Sequence, residues 1–528
     1  MSTGDRKDWM SREVARGTMN RREFIQLSIA AGLTVSAAQS AFAAATPPKK
    51  GGSFKMASGY GRKTDTLNPA TWLDQYMFSA GQIVGNCLVT IDQQNNVKPD
   101  LAESFEAADG AKRWIFKLKS GVTFHSGQTL TADDVVATYN FHRDPKTKSS
   151  ARVLLSDVAE VKADGPNTVV FILKQPNADF PYTTADFHLP VFPAKDSAID
   201  ISGTGTGPFM LDKFDPGVKL SARRNPNYHH SEGPWFDDIE LSSMLDYGAR
   251  QNALLANQVH YIDRVDTRQA GAIKRRQGVK VTDITGFGHY VAPMNCTVKP
   301  FDDVNVRQAL KYAINRDELV RRVLDGYGAP GDDNPVAPLL KFATSPEPKY
   351  GYDPEKAKAL LKLSGLTSLK LDLSASDVAF PGAVDAANLI KASAHKANIE
   401  INVIKEQADG YWDLVWMKKP WSMSYWSGRP TADGVFSTAY AADATWNDTY
   451  WTNDKFNQLL KSARAELDDA KRAGMYTEMQ QIVHDDGGAL VLMFNDFVAA
   501  HSAKLAHGDI NSNSDHDGGQ VFQRWWMA

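Results

Sequence analysis

The chain has 528 residues, a net charge of −3 at pH 7 and a mean hydropathy of −0.38. This charge argues against nucleic acid and acidic membrane surfaces as main partners, because both select for basic proteins. The length is too great for one hydrophobic core and predicts two or three domains.

The start of the chain has the features of an export signal. A twin-arginine pattern, NRREFIQ, contains Arg21 and Arg22, and an apolar run over residues 27–38 leads to an A-x-A cleavage pattern that ends at Ala43. The alternative is a transmembrane anchor, but the apolar run is shorter than the roughly 20 residues that a membrane span requires. We therefore predict twin-arginine export, cleavage of the signal near Ala43, and a mature chain in the periplasm.

Residues 101–139 carry the clearest structural pattern of the mature chain. The block starts with LAESFEA, which is typical of a short helix. After a turn, apolar and mostly polar residues alternate, and this period of two predicts a half-buried strand. Thr131 then stands two residues before Asp133, as expected for a helix cap followed by acidic residues in the first turn. The buried residues predicted for the strand are Trp114, Phe116 and Leu118.

Strands and helices alternate along the rest of the chain, which predicts α/β lobes. Apolar and β-branched runs predict strands at residues 51–58, 88–92, 168–173, 239–245, 369–374, 399–404 and 489–494. Helical spacing of apolar residues predicts helices at residues 76–86, 250–258, 306–324, 384–397, 453–465 and 469–484.

Several short motifs occur in a fixed order along the chain. Besides the block at 101–139, they are GTGPF at 205–209, NPNY at 225–228, PFDD with VRQA between 300 and 309, and YDPEKA at 352–357. Together they resemble the signature segments of extracytoplasmic solute-binding proteins of the peptide/nickel-chelate class (family 5), which serve ABC importers. The resemblance covers nearly all of the mature chain.

The resemblance implies an α/β fold, that of a two-lobed periplasmic binding protein of type II, cluster C, with an extra subdomain and a ligand cleft between the lobes. The signal peptide is expected at 1–43. Lobe I is expected in three pieces, and the other two domains are expected to be continuous. The expected ranges are 44–75, 201–285 and 496–528 for lobe I, 76–200 for the extra subdomain (domain II), and 286–495 for lobe II (domain III).

The resemblance also implies a function. We expect the periplasmic substrate-binding component of an ABC importer, a monomer that traps a small solute by lobe closure and delivers it to a permease in the inner membrane. No metalloprotease, nucleophile-elbow or P-loop motif is present in the sequence, and we predict that the chain is not an enzyme. The alternatives are a secreted hydrolase and a binding-protein fold used as a sensor or chaperone partner.

Residues 424–434 resemble the family segment W-[ST]-G-D-x-x-x-P, which lies on the cleft. Many dipeptide binders of the family have an aspartate after that glycine, where it pairs with the α-amine of the ligand, but this chain has Arg429. Because arginine suits carboxylate and phosphate groups, we expect an anionic ligand group here. An acidic peptide, an opine-like or phosphorylated compound, and a carboxylate-rich metal chelate all fit. The alternative is that Arg429 bridges to Asp433 or another acid and does not touch the ligand.

Further ligand contacts are expected from residues next to Arg429, from Asn295, and from the pair Tyr76 and Met77. Trp426 and Tyr425 are candidate ring platforms for the ligand. Asn295 ends an apolar strand, where its amide either binds the ligand or stabilises a turn. The complete set of candidate ligand-binding residues is Arg429, Trp426, Tyr425, Ser427, Asn295, Met77, Tyr76 and Asp433.

Two patterns suggest metal ligands, but neither is strong. His229 and His230 are adjacent, and neighbours on a strand point to opposite faces, so joint ligation is doubtful. Residues 509–517 have the oxygen-ligand spacing of a calcium loop but have Ser514 in place of the glycine and Gln520 in place of the bidentate glutamate. A solvated loop is the expected structure, and we predict no metal and no cofactor.

The chain has two cysteines, Cys87 and Cys296. An oxidising compartment would permit a disulfide between them. We favour two buried thiols, because Cys87 lies in the apolar run IVGNCLVTI.

Overall fold

The computed structural model describes residue 13 and residues 21–30, 48–196, 198–407 and 410–528. The predicted cleavage site at Ala43 lies outside the described residues. Within them, no helix combines the length and the apolar character that crossing a membrane requires.

The first elements of the chain are helix α1 (Arg21–Ala30), strand β1 (Ser53–Ser58) and helix α2 (Gln75–Val84). The next segment contains β2 (Val89–Ile91), β3 (Val97–Pro99), β4 (Ala102–Ala108), β5 (Arg113–Leu118), α3 (Ala132–Arg143), β6 (Val158–Ala163), β7 (Thr168–Leu173), α4 (Phe180–Thr183), β8 (Ala194–Lys195) and β9 (Ala198–Ile199). It is followed by β10 (Phe209–Asp215), β11 (Lys219–Arg224), β12 (Asp238–Ser243), α5 (Tyr247–Leu255), β13 (Tyr261–Ile262) and α6 (Thr267–Lys274).

The second half begins with β14 (Val279–Pro293), α7 (Val304–Ala313), α8 (Arg316–Val323), β15 (Gly328–Pro330), α9 (Pro354–Leu363), β16 (Leu369–Ala375), α10 (Ala383–His395) and β17 (Ile399–Lys405). It continues with α11 (Tyr411–Leu414), β18 (Ser424–Trp426), α12 (Ala432–Ala439), α13 (Asp454–Ala465), α14 (Asp469–Asp486) and β19 (Ala489–Ser502). The chain ends with β20 (Leu505–Ala506), α15 (Val521–Arg524) and β21 (Trp526–Met527).

One nine-stranded mixed sheet runs through the molecule in the order β10-β11-β12-β1-β13-β19-β14-β18, with β15 added beside β19. The antiparallel strands β14 and β19 are its longest members, and their pairing runs from Val279 opposite Ser502 to Pro293 opposite Ala489. The register shifts between Thr285 and His289, so the ladder has two halves.

The two halves of the β14–β19 ladder belong to different hydrophobic cores. Near one end, Val498 and Ala500 pack with the side chains of α5 and α6. Near the other end, Leu490 and Leu492 pack with α7, α8 and α10. We call the part around β1 and β10–β13 lobe I and the part that holds α7–α14 lobe II.

The segment between α2 and β10 forms a third unit, the subdomain, with its own four-stranded antiparallel sheet in the order β4-β5-β7-β6. The predicted strand is present as β5, and its three expected core residues are buried. The Asp134 carboxylate accepts a hydrogen bond from the Thr131 backbone N at 2.9 Å, which caps α3 as expected. The helix expected at LAESFEA was wrong, because Ala102–Ala108 pairs with β5 as strand β4.

The C-terminal residues pack into lobe I. The ring of Phe522 contacts that of Phe54 in β1 at a centroid distance of 5.2 Å. The solvated loop expected at 509–517 was wrong, because several of its side chains are buried. Asp517, one of the candidate calcium ligands, accepts hydrogen bonds from Arg524 at 2.7 Å and from the Trp525 indole at 3.0 Å. Both of its carboxylate oxygens are therefore already bonded to donors of the protein.

The two cysteines are free thiols, as predicted. Cys87 is buried in the subdomain, whereas Cys296 in lobe II is only partly buried.

Candidate functional site

The segment that contains Arg429 lies where the two lobes meet. Strand β18 pairs with β14 so that Trp426 is opposite His289 and Tyr425 is opposite Tyr290. His289 is also the first paired residue after the register shift in the β14–β19 ladder. The predicted specificity segment is therefore placed at the junction of the lobes, on the lobe II side.

Gly428 brings the chain close to strand β14 just before Arg429. Its φ of +86° is in the left-handed region, and a Cβ atom would lie 2.6 Å from the Cβ atom of Phe287. Only glycine fits this approach without strain or displacement. The glycine of the predicted motif therefore fixes the position from which the Arg429 side chain extends.

Arg429 is partly buried and is not paired with an acid. Its Nη1 atom donates a hydrogen bond to the Gly428 carbonyl at 2.8 Å. Burial lowers the pKa of Arg429, and the charge of Asp186 in the subdomain opposes this shift. Among the described residues, no carboxylate forms an ion pair with Arg429. The alternative in which it bridges to Asp433 is wrong, because Asp433 contacts Arg464 at 3.4 Å.

A small cavity beside Arg429 contains two polar atoms without partners. It is lined by His289, Trp426, Arg429 and Tyr440, together with apolar parts of α12. His289 Nε2 and the Tyr440 hydroxyl are buried, and neither makes a hydrogen bond with any residue that the structure describes. Burial lowers the pKa of His289 to about 4, so its ring is neutral at pH 7. A guanidinium and two polar groups without a partner among the described residues therefore lie around one small cavity.

An aromatic wall extends from this cavity. The ring of Trp426 contacts those of Trp416 and Trp446 at centroid distances of 6.3 and 6.4 Å. Trp412 links the wall to Tyr425 at 5.7 Å. Tyr425 and Trp446 are 44% and 43% exposed, so the wall has open faces that a solute can cover.

A second arginine lies on the lobe I side of the junction. Arg264 is exposed, has a positive φ of 47°, and holds its guanidinium 4.7 Å from the ring centroid of Tyr60. Burial raises the pKa of Tyr290 in lobe II to about 12, and the charge of Arg264 opposes this shift. Arg264 is therefore a charged residue of lobe I whose field reaches Tyr290 in lobe II.

The subdomain and lobe II meet along a charged contact, which we call the seam. Arg472 of α14 lies 2.8 Å from Asp179, and Arg464 of α13 lies 3.3 Å from Asp157. Arg464 also contacts Asp433, whose pKa burial raises to about 7. Two backbone contacts, from Ala178 N to the Arg464 carbonyl and from Asn95 Nδ2 to the Pro430 carbonyl, complete the seam at 2.8 Å each.

The structure sorts the predicted ligand residues into two groups. Arg429, Trp426, Tyr425 and Ser427 lie together at the lobe junction, with Ser427 exposed. Asp433 is nearby but is engaged in the seam with Arg464.

The other three predicted residues have structural roles. Asn295 accepts hydrogen bonds from Thr297 N at 3.0 Å and from the Thr297 hydroxyl at 2.6 Å, which is the arrangement expected of the turn role. Met77 and Tyr76 were wrong as ligand residues, because both are fully buried in the core of lobe I. The Tyr76 hydroxyl donates to the Leu241 carbonyl at 3.0 Å.

Sequence reasoning missed His289, Tyr440 and Arg264. A single histidine, tyrosine or arginine outside a motif gives no signal, because only the tertiary structure shows that its polar group lacks a partner.

Comparisons with known proteins agree with this architecture. A family model described as bacterial extracellular solute-binding proteins, family 5 Middle, matches residues 96–448. The dipeptide-binding protein of Escherichia coli is 28% identical over 440 residues, which are 75% of this chain and 80% of that protein. The glutathione-binding protein GsiB of Shigella dysenteriae serotype 1 is 25% identical over 468 residues, which are 84% and 90% of the two chains.

A solved structure, that of HbpA2 from Haemophilus parasuis, superposes with a TM-score of 0.79 at 22% identity and covers 88% of this chain and 99% of its own. This likeness confirms the predicted fold class, a two-lobed α/β binding protein of type II, cluster C. The predicted substrate-binding role is confirmed by the family match. Because the family model spans more than half of its length, the chain belongs to the bacterial extracellular solute-binding proteins of family 5.

Proposed function

We propose that the chain is the periplasmic substrate-binding component of an ABC importer and that its solute is a small anion, with an acidic peptide such as glutathione as the first candidate. The observation that carries this proposal is the Arg429 site. A partly buried guanidinium without an acidic partner among the described residues lies beside two unsatisfied polar atoms. A carboxylate would pair with this cation and accept from the Tyr440 hydroxyl. The relative GsiB, named as a glutathione-binding protein, supports this ligand class.

The β14–β19 ladder supports capture of the solute by lobe closure. We propose that the lobes rotate about the register shift between Thr285 and His289, where the pairing of the two strands is interrupted. The cavity beside Arg429 has room for about one water molecule, so a solute enters only when the lobes separate. Closure then removes water from the site, which strengthens the attraction between Arg429 and an anion.

We propose domain limits close to this division, with lobe I at 44–75, 201–285 and 496–528, the subdomain at 76–200 and lobe II at 286–495. Helix α2 (Gln75–Val84), at the start of the subdomain's range, packs in the core of lobe I. We propose that the protein is exported by the twin-arginine pathway, acts as a monomer and delivers its solute unchanged to the permease.

Three of the described residues resemble a catalytic triad, but their position does not favour a hydrolase function. Ser79 contacts His516 Nδ1 at 2.8 Å, and His516 Nε2 contacts Asp263 at 2.6 Å. This order resembles a Ser-His-Asp triad. All three side chains are buried in lobe I, however, and Asp263 also accepts from Ser58 at 2.6 Å, so a substrate in solution has no access to the serine.

The test is isothermal titration calorimetry of the mature protein, freed of co-purified solute, with glutathione and with a neutral dipeptide. We expect the acidic ligand to bind more tightly. Arg429→Ala should weaken its binding about 10–100-fold, because a hydrogen bond to a charged group contributes about 1.5–3 kcal/mol. Tyr440→Phe should weaken it less, because the hydroxyl is neutral.

The matched control is Arg268→Ala. Arg268 is 78% exposed and pairs with Asp266 on lobe I, so its removal should leave affinity unchanged. Full affinity for the acidic ligand in the Arg429→Ala protein, or tighter binding of the neutral dipeptide, would contradict the proposed ligand class. Chemical alteration of the solute during incubation would contradict a pure binding function.

A further inference from the structure

Three metal-ligating side chains meet outside the cleft. Asp100 lies between β3 and β4 of the subdomain, and His229 and His230 lie between β11 and β12 of lobe I. The Nε2 atoms of His229 and His230 are 3.0 and 2.7 Å from the same oxygen, Asp100 Oδ1. The expectation that the two rings point apart was wrong, because the pair lies beyond the end of β11, outside any strand. We propose that this His-His-Asp site binds a divalent transition-metal ion of the zinc type.

The donor set and its spacing suit such an ion. Two imidazole nitrogens and one carboxylate oxygen are ligands that zinc and neighbouring metals accept. One ligand atom from each residue lies within 4.8 Å of the other two. In a tetrahedral site with bonds of about 2.0–2.2 Å, ligand atoms are about 3.3 Å apart. The separations of 3.0 and 2.7 Å between the imidazoles and Asp100 therefore need to widen by about 0.3 and 0.6 Å.

The surroundings hold one ligand in place and leave a path for the ion. Asn86 Nδ2 donates to Asp100 Oδ2 at 3.1 Å and to the Tyr228 hydroxyl at 3.0 Å, which leaves Oδ1 directed at the imidazoles. Such hydrogen bonds behind a ligand orient it for the metal. The side chains of Asp100 and His229 are 6% and 8% exposed, whereas that of His230 is 27% exposed, so the ion enters from the His230 side.

The ion would connect the subdomain to lobe I. Asp100 belongs to one unit and the two histidines to the other, and none of the three residues lines the cavity at Arg429. Binding at this site would stabilise the angle between these two units and the folded state as a whole, without contact with the solute. The competing interpretation is a hydrogen-bonded cluster in which both imidazoles donate to Asp100 and no metal binds.

The experiment is calorimetric titration of the tag-free mature protein with zinc chloride, together with thermal unfolding in zinc and in EDTA. We expect one zinc ion per chain and a higher Tm in zinc than in EDTA. His230→Ala should weaken zinc binding about 100-fold or more and remove the difference in Tm. Cobalt chloride provides a spectroscopic check, because a nitrogen-ligated site gives visible absorption that the variant should lose.

His395→Ala is the matched control, because His395 is exposed at the end of α10 in lobe II. It should bind zinc as the wild type does. The proposal is overturned if the wild type binds no zinc, or if His230→Ala binds it as tightly as the control. It is also overturned if His230→Ala lowers the Tm equally in zinc and in EDTA, which is the result expected of a metal-free cluster.

Discussion

Replacing Asp179 with asparagine removes the carboxylate that faces Arg472 across the seam. The pair is 2.8 Å apart, and the two side chains are only 4% and 10% exposed. Although burial lowers the pKa of Arg472, the charge of Asp179 raises it, which reflects a strong interaction. The change is made at Asp179 because Arg472 also stacks on Phe342 and donates to the Ala463 carbonyl within lobe II.

The expected effect is a loss of ligand affinity. Removing one partner of a buried ion pair costs about 3–5 kcal/mol, because the other charge stays buried without compensation. We propose that the seam separates when the lobes open, so that Arg472 is solvated in the open state and the cost falls on the closed state alone. Asparagine keeps some polarity, and the lower value of about 3 kcal/mol corresponds to a dissociation constant about 100-fold higher.

Calorimetric titration with the solute, combined with small-angle scattering to follow closure, measures this effect. The control is Asp157→Asn, which breaks the contact with Arg464 at 3.3 Å between side chains that are 45% and 26% exposed. This more exposed pair should contribute at most about 1 kcal/mol, a change of about fivefold or less. Equal effects of the two variants, or an Asp179→Asn protein with unchanged affinity, would refute the assignment of the seam to closure.

Two further predictions concern buried titratable groups. Burial raises the pKa of Asp448 from 3.8 to about 7. Its ionisation therefore lowers the free energy of unfolding as the pH rises from about 4 to about 7. Relative to the wild type, the Asp448→Asn protein should become more stable by up to about 4 kcal/mol across that range. Urea unfolding at pH 5 and pH 8 measures this gain, and an equal difference at both pH values would contradict it. Burial also raises the pKa of the Cys87 thiol, and it raises the pKa of the Cys296 thiol to about 11. Neither thiol should therefore react rapidly with a disulfide reagent at pH 8 in the native protein, although both should react in urea. Fast labelling of the native protein, or a fall in Tm with a reducing agent, would contradict the prediction of two buried thiols.

Local patterns predicted most of the elements that belong to one domain. The alternation of Trp114, Phe116 and Leu118 identified β5, and Thr131 followed by acidic residues identified the start of α3. The long strands β14 and β19 were not predicted at full length. Gly286 and Gly288 interrupt the apolar pattern of β14, and each strand changes from one core to the other along its length.

The site was predictable only where a motif marked it. The inverted charge at Arg429 was visible in the sequence, but whether an acid pairs with it depends on which residues the fold brings near. The same limit applies to His229 and His230, because their convergence on Asp100 depends on a contact between two domains.

The arrangement of lobe I determines the order in which the molecule can be completed during synthesis. Strand β1 packs against Phe522, more than 400 residues further along the chain, whereas the subdomain and most of lobe II come from continuous stretches. Residues 521–527 must therefore be synthesised before lobe I can assemble, while the other two units can fold earlier. A variant without α15 and β21 would lose the contact between Phe54 and Phe522 and would expose part of the apolar core of lobe I.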